Sequence, residues 1–359
     1  MGRSIPVVHV ITGLVTGGAE TALARLLAAL PAEEFPATVV SLTSGGPVAD
    51  HLRAIDVRVE TLGMHGAASV VSGALRLRHL LRELRPALVQ GWMHHGNLAA
   101  SIGAAGILPR QAVLWNVRMT VYDMALEGRA TRLAIRAGRI ASGCPGRIIY
   151  NSEVARQQHE AAGYGTERGV VIPNGFDATL FAPDPRARAA VRAELGVPEG
   201  RLLVGLVGRY HVMKGHDDFL AAARQVLAEG VDADFVCAGR EVTPDNPVLT
   251  GMVTQHDLAG RVHLLGERRD THRLFAALDV ACCASTSGEG FPNAVGEAMA
   301  CGIPCVVTEV GDAPVLVGET GVVVSRHDPQ ALAAGMMRLL RLPADARAAV
   351  GTKGRARIK

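Results

Sequence analysis

The segment Asp279–Val310, DVACCASTSGEGFPNAVGEAMACGIPCVVTEV, contains one complete unit of the fold. DVACCAS reads as a buried strand, so TSGEGF is the loop at its C-terminal end. Pro292 suits the first position of a helix, where a missing N–H costs nothing. The helix runs through NAVGEAMA and stops at Gly302, and IPCVVTEV is the next buried strand. Glu289 falls in the loop and Glu297 about one turn inside the helix, with seven residues between them. The unpaired N–H groups and positive dipole end of such a helix favour a phosphate. A glutamate one turn in can accept two hydrogen bonds from a vicinal diol such as a ribose. The plain alternative is a solvated helix with ordinary glutamates. The surrounding glycines, which permit close backbone approach, weigh against it.

The same strand–loop–helix alternation extends in both directions. VVHVITG, ATVVSLT, VRVETL, ALVQGW, AVLWNVR, RIIYNS and GVVIPN read as strands, with helical stretches such as AETALARLLAAL and VVSGALRLRHLLRELR between them. The pattern restarts after Phe176 with RLLVGLVGR, ADFVCAG and RVHLLGE. Apolar runs separated by helices are parallel strands covered on both faces. The sequence therefore predicts two doubly wound α/β domains, 1–175 and 176–359, joined near IPNGFDATLFAPD. In such sheets ligands bind beyond the C-terminal strand ends.

Composition narrows the function. The 359 residues are 48% hydrophobic and 20% charged, enough for two cores. A net charge of +3 gives no general case for nucleic acid as a partner. No apolar run is long enough to span a membrane, and MGRSIPVVHVITG lacks a signal-peptide pattern, so the expected location is the cytoplasm. Cys237, Cys282, Cys283 and Cys305 lie in strand-like runs and read as small hydrophobes. Cys301 and Cys305 have no companion pair at zinc spacing.

Three further segments bear chemistry. In GLVGRYHVMKGHDDFL, Arg209 follows a strand and Lys214 precedes a helix, so both can converge on one anion. Lys214 is the only lysine before Lys353 in a chain that otherwise uses arginine. ITGLVTGGAETALARLL puts Gly13, Gly17 and Gly18 between a strand and a helix. Ala19-Glu20 stands where a P-loop needs Lys-Ser/Thr, and the dinucleotide fingerprint also fails, leaving a backbone cradle. Asp232-Ala233-Asp234 has the form of a metal-binding Asp-x-Asp, but it precedes a strand at the edge away from the ligand rim, and reads as a turn.

Together these segments resemble the retaining glycosyltransferases of family 4, whose GT-B fold is two facing Rossmann-like doubly wound α/β domains with an interdomain cleft. The matching residues are GGAE in the first loop, WMHHGN, VIPNGFD, the Arg209-to-Lys214 segment, EGFPNAVGEAMACGIPCVVTEVGD and GETG. The resemblance implies an acceptor-binding N-terminal domain and a C-terminal domain binding a nucleotide-sugar, with UDP as the expected nucleotide. Arg209 and Lys214 would neutralise the departing diphosphate, Glu297 would hold the ribose, and Glu289 the donor sugar near the reacting carbon. Gly290, Phe291, Pro292 and Asn293 would line the nucleotide site, and Gly17 and Gly18 would close over the phosphates. His95, in preference to His94, would face the sugar. A hexosyl or N-acetylhexosaminyl group would pass to a glycan, lipid-linked or small-molecule acceptor, as in polysaccharide biosynthesis, with neither metal nor cofactor required. Family members usually continue into a helix crossing back to the N-terminal domain, and the sequence stops at GTKGRARIK, where that helix is expected to be missing. The rival readings are a silent nucleotide-sugar-binding protein and a nucleotide-sugar epimerase.

Residues 70–150 hold eleven arginines against Glu83, Asp123 and Glu127. Arg129, Arg132, Arg136 and Arg139 recur at helical spacing on one face. That face suits the anionic inner surface of the plasma membrane, carrying a lipid-linked acceptor. The alternative is a solvated face in an arginine-biased sequence.

Overall fold

The computed structural model describes residues 4–121 and 128–359. Asp123 and Glu127 of the acid count, and the first three residues of MGRSIPVVHVITG, lie outside the described residues. The chain divides into two compact units, Met1–Asn174 and Gly175–Lys359.

In the N-terminal unit the order is β1 (Val7–Ile11), α1 (Gly18–Ala29), β2 (Ala37–Ser41), α2 (Pro47–Ala54), β3 (Arg58–Thr61), α3 (Ala67–Leu84), β4 (Leu88–Trp92), α4 (Met93–Ala104), β5 (Val113–Val117), α5 (Arg129–Ala141), β6 (Arg147–Tyr150), α6 (Glu153–Ala161) and β7 (Gly169–Val171). The C-terminal unit continues with α7 (Pro185–Glu194), β8 (Leu202–Val207), α8 (His216–Ala228), β9 (Ala233–Ala238), α9 (Pro247–Gln255), β10 (Val262–Leu264), α10 (Thr271–Ala277), β11 (Val280–Cys283), α11 (Asn293–Ala300), β12 (Cys305–Thr308), α12 (Ala313–Val317), β13 (Val322–Val324), α13 (Pro329–Leu340) and α14 (Ala344–Ile358).

Each unit is a parallel sheet wound in both directions. The N-terminal order is β3-β2-β1-β4-β5-β6-β7 and the C-terminal order β10-β9-β8-β11-β12-β13. Alternate residues of each strand feed different cores. Val204 and Leu206 of β8 join Phe219 of α8 on one face, while Leu203 joins Phe275 of α10 on the other. In the N-terminal unit Val10 and Trp115 pack in one cluster, and Ile11, Leu23 and Trp92 in another. Burial of both sheet faces explains why these strands read as continuous apolar runs. The two Rossmann-like domains expected from the sequence are present.

Two buried polar anchors hold the C-terminal unit. The Asp279 carboxylate, just before β11, receives Arg188 at 2.7 Å, Arg192 at 3.1 Å and the Leu203 N–H at 2.8 Å, tying α7 to the sheet. Helix α14 packs on α11 of its own unit, and Arg355 donates to the carbonyls of Ala178, Phe181 and Ala300. The last turn of α11 is thereby fixed, and its orphan carbonyl at Ala300 gains a donor.

Two local expectations are corrected. Asp232-Ala233-Asp234 is not a turn: Ala233 opens β9 and Asp234 points from the strand, 2% exposed. Both carboxylates are engaged by basic side chains. Arg261 lies 2.7 Å from Asp232, and Arg201 and His263 lie 3.3 and 3.2 Å from Asp234. The buried run of β9 extends back to the aspartate because a buried strand tolerates one acid that basic side chains satisfy. Pro292 is the N-cap of α11 rather than its first residue, since the helical turn begins at Asn293.

Candidate active site

The strand order of the C-terminal sheet reverses between β8 and β11, and an open α/β sheet receives ligands at that reversal. Arg209 follows β8 by two residues, and Glu289 follows β11 in the loop to α11. Two glycines let the adjoining loops close up. Gly215, at φ +65°, caps the turn after Lys214 and faces the carbonyl of Ala284, where any Cβ would collide. Gly311, at φ +56°, passes beneath the carbonyls of Glu289 and Gly290 with no room for a side chain, and the Asp312 N–H donates to Gly290 at 2.9 Å. The 288–291 loop is thus held from below by the loop after β12.

On that platform Lys214 forms an ion pair with Glu289, their side chains 29% and 14% exposed. Ser285 donates its hydroxyl to the same Glu289 carboxylate at 2.9 Å, and Thr308 fixes Ser285 by bonding its carbonyl at 2.5 Å. Burial alone would raise the Glu289 pKa, but the charge and hydrogen bond of Lys214, the Ser285 hydroxyl and the charge of Arg209 outweigh it and hold it below the usual carboxylate range. Burial likewise lowers Lys214, and Glu289 overcomes this to hold its pKa above the ordinary value. Both groups stay ionised, half-enclosed, beside the exposed guanidinium of Arg209. The pairing of Lys214 with Glu289, and the supporting Ser285 and Thr308, were not legible in the sequence. Their only trace was the polar run after a buried strand.

The remaining predicted nucleotide residues line the start of α11. Pro292 and Gly290 are buried, and Phe291 stacks on Phe176 with ring centroids 6.1 Å apart. Phe176 lies over Gly296, where a Cβ would strike its ring. Asn293 opens the helix and is half-buried, and Glu297 is buried at 6% exposure in its second turn. The structure thus brings Arg209, Lys214 and Glu289 together, with Gly290 to Asn293 continuing from them.

Gly17, Gly18 and His95 belong to the N-terminal unit. Gly17 is the extended N-cap of α1 and Gly18 its first residue, with open space at the position of a Cβ. The Glu20 carboxylate folds back over Gly17, so the cradle carries an acid at its mouth. Met93, at φ +61°, makes the turn from β4 into α4 tight enough to put both histidines on its first turn. His95 is half-buried, its pKa lowered by burial and partly restored by a hydrogen bond with the Ala130 backbone. His94 is 3% exposed and stacks on His159 at 5.4 Å. Of the arginine face on α5, Arg129, Arg136 and Arg139 are exposed and Arg132 half-buried, and the Arg139 side chain lies against Gly163. Leu133 and Ile140, 68% and 88% exposed, stand among them. Among the described residues no helix is long and apolar enough to cross a membrane.

Known families account for this arrangement. A family model described as "Glycosyl transferases group 1" matches residues 201–342, and one described as "Glycosyltransferase Family 4" matches residues 16–180. Each half of the chain thus matches a glycosyltransferase family model. EpsF of Bacillus subtilis (strain 168) is 33% identical over 146 residues, 40% of this chain and 36% of that protein. D-inositol 3-phosphate glycosyltransferase of Mycobacterium tuberculosis (strain ATCC 25177 / H37Ra) is 34% identical over 220 residues, 58% of this chain and 44% of that protein. The chain spans less than half the length of these curated relatives. Among solved structures, Anabaena Alr3699/HepE in complex with UDP-glucose superposes with a TM-score of 0.84 at 22% identity, covering 98% of this chain and 94% of that one. Sucrose-phosphate synthase from Thermosynechococcus elongatus gives 0.79 at 20% identity, covering 99% and 94%. The two units therefore carry the Rossmann-like folds of GT-B structures.

Proposed function

We propose that this chain is a retaining glycosyltransferase that moves a hexosyl or N-acetylhexosaminyl group from a UDP-sugar to a glycan, lipid-linked or small-molecule acceptor. The observation that carries the reading is the Lys214–Glu289 pair beside Arg209 at the reversal of the C-terminal sheet. Likeness to HepE, solved with UDP-glucose, supports the choice of donor.

The chemistry follows from the charges. Without ligand, Glu289 holds Lys214 in place and neutralises it. A diphosphate arriving at Arg209 competes for that ammonium, and the start of α11 offers further N–H donors. When the sugar–phosphate bond breaks, negative charge grows on the leaving oxygen, and Lys214 and Arg209 are already placed to receive it. Glu289, kept anionic, accepts hydrogen bonds from sugar hydroxyls and stabilises positive charge developing on the ring. Catalysis is then positioning plus electrostatics, without a fixed protein nucleophile. Glu297 would take the ribose, Gly17 and Gly18 the phosphates from the N-terminal unit, and His95 the sugar. No metal is required in this scheme, because fixed cations do its work. The Asp-x-Asp pair, occupied by Arg201, Arg261 and His263, supports that assignment. Peripheral attachment to the inner face of the plasma membrane would use Arg129, Arg132, Arg136 and Arg139, with Leu133 and Ile140 entering the headgroup layer.

Incubation with a panel of nucleotide-sugars tests the function. Free nucleotide together with a glycosylated acceptor, or slow hydrolysis without one, is expected. Conversion to an epimeric nucleotide-sugar would make the chain an epimerase, and binding without turnover would make it a silent receptor.

A further inference from the structure

The N-terminal unit contains a cation that its described neighbours do not neutralise. Arg118 follows β5 directly, at the C-terminal rim where a parallel sheet opens its sites. Its guanidinium carbon stands 5.4 Å from the ring centroid of Trp92, itself 1% exposed at the end of β4. Its two terminal nitrogens donate to amide oxygens, one to Asn116 at 3.3 Å and the other to Asn174. The Asn116 backbone is in turn locked by Asn97, whose side-chain oxygen accepts its N–H at 3.1 Å and whose amide donates to its carbonyl at 3.3 Å. Trp92 is pinned by its indole N–H to His9 Nδ1 at 3.2 Å.

No carboxylate pairs with Arg118 among the described residues. The half-buried Arg192, Arg201 and Arg268 each face an aspartate or glutamate, and the half-buried Arg78, Arg168 and Arg355 donate to backbone carbonyls, whereas the partners of Arg118 are two side-chain amides. Burial pushes the Arg118 pKa down to about 10, so the group is still charged at neutral pH. Withdrawing a cation from water is expensive, and two neutral amides repay only part of that cost. A planar fork fixed by an aromatic face and two amides is also pre-organised for a planar or tetrahedral oxyanion.

We propose that Arg118 is an anion-binding residue of the N-terminal unit and that it receives an oxyanion group, phosphate or carboxylate, of the acceptor substrate. The inference rests on the glycosyl-transfer reading for the word acceptor, while the anion site itself stands on the geometry. It restricts the acceptor to anionic molecules, in contrast to a neutral sugar terminus.

The chain has two tryptophans, Trp92 and Trp115, so their indole N–H resonances in an NMR spectrum are readily assigned with a Trp92→Phe variant. Inorganic phosphate and acetate, titrated separately at constant ionic strength against chloride, are the probes. The Trp92 resonance should shift and saturate with phosphate, acetate or both, and the identity of the effective ion distinguishes the two acceptor chemistries. Arg118→Gln should weaken that response about tenfold or more, and Arg118→Lys should restore part of it, since charge remains but the fork is lost. Arg209→Ala should leave it unchanged. A Trp92 resonance that answers neither anion, or answers equally in Arg118→Gln, overturns the proposal. UDP titration of the same samples separates the two readings. UDP binding without an anion response refutes this site alone, and an anion response without UDP binding refutes the donor assignment alone.

Discussion

Acid should weaken the N-terminal unit well above the pH at which carboxylates protonate. Burial lowers the pKa of His9 to about 4 and of His94 to about 3, from 6.5 in the unfolded chain. A lowered folded pKa means that stability is fully present above the unfolded value and is lost as pH falls, because only the unfolded chain takes up the proton. The loss is about 1.36 kcal/mol per pH unit per proton, or about 2 kcal/mol for each histidine between about pH 6.5 and 5. The pair therefore removes about 4 kcal/mol, a large share of the roughly 5–15 kcal/mol that holds a domain together. In the C-terminal unit His216 alone is lowered as far, to about 4, and would cost about half as much. Trp92 and Trp115 are both buried in the N-terminal unit, so tryptophan fluorescence reports that unit alone. Burial also lowers His95 and His159 of the same unit, so urea unfolding followed by fluorescence should show stability falling by at least about two protons' worth per pH unit below about pH 6. His94→Phe keeps a flat ring against His159 and should remove about one proton from that slope. A stability independent of pH down to about 5, or an unchanged slope in His94→Phe, would refute the reasoning.

Four other variants probe the site and the surface. Glu289→Gln should reduce transfer by on the order of a hundredfold while UDP still binds, and Glu297→Ala should weaken UDP itself; nucleotide calorimetry beside a turnover assay would reveal reversed roles. Gly311→Ala, strained at φ +56° and colliding with the carbonyls beneath the 288–291 loop, should cost about 1–3 kcal/mol in urea unfolding followed by circular dichroism and should displace Glu289. An unchanged midpoint and turnover would show that the loop does not depend on that contact. Changing Arg129, Arg132, Arg136 and Arg139 together to Gln should lower sedimentation with phosphatidylglycerol vesicles by up to roughly two to three decades at low salt. Equal binding by both proteins would leave α5 as an ordinary solvated face.

The fold was legible because buried parallel strands leave continuous apolar runs, and because glycine, proline and charge mark the loops between them. β13 was not, since Val322–Val324 is three residues long and follows a glycine-bounded turn that gives no periodicity to read. At the site, the sequence placed Arg209, Lys214 and Glu289 at the C-terminal rim of one sheet, where they do meet. It could not show that Lys214 and Glu289, 75 residues apart, pair with each other, because a hydrogen-bond partner across strands leaves no spacing signal. The same limit hid Thr308 beneath Ser285, and Arg118 against Trp92. Asp232-Ala233-Asp234 was read as a turn rather than the start of β9, because the side chains that satisfy its two acids, Arg201, Arg261 and His263, lie far along the chain.

The central claim is that Arg209 and Lys214 bind a nucleoside diphosphate with their own charges. Calorimetric titration of UDP into the full chain in EDTA, alongside Arg209→Ala and Lys214→Ala, tests it most directly. The account predicts binding in EDTA by the wild type and a loss of about tenfold or more in each variant. Absence of binding, binding that appears only when magnesium or manganese is added, or equal affinity in all three proteins would contradict it.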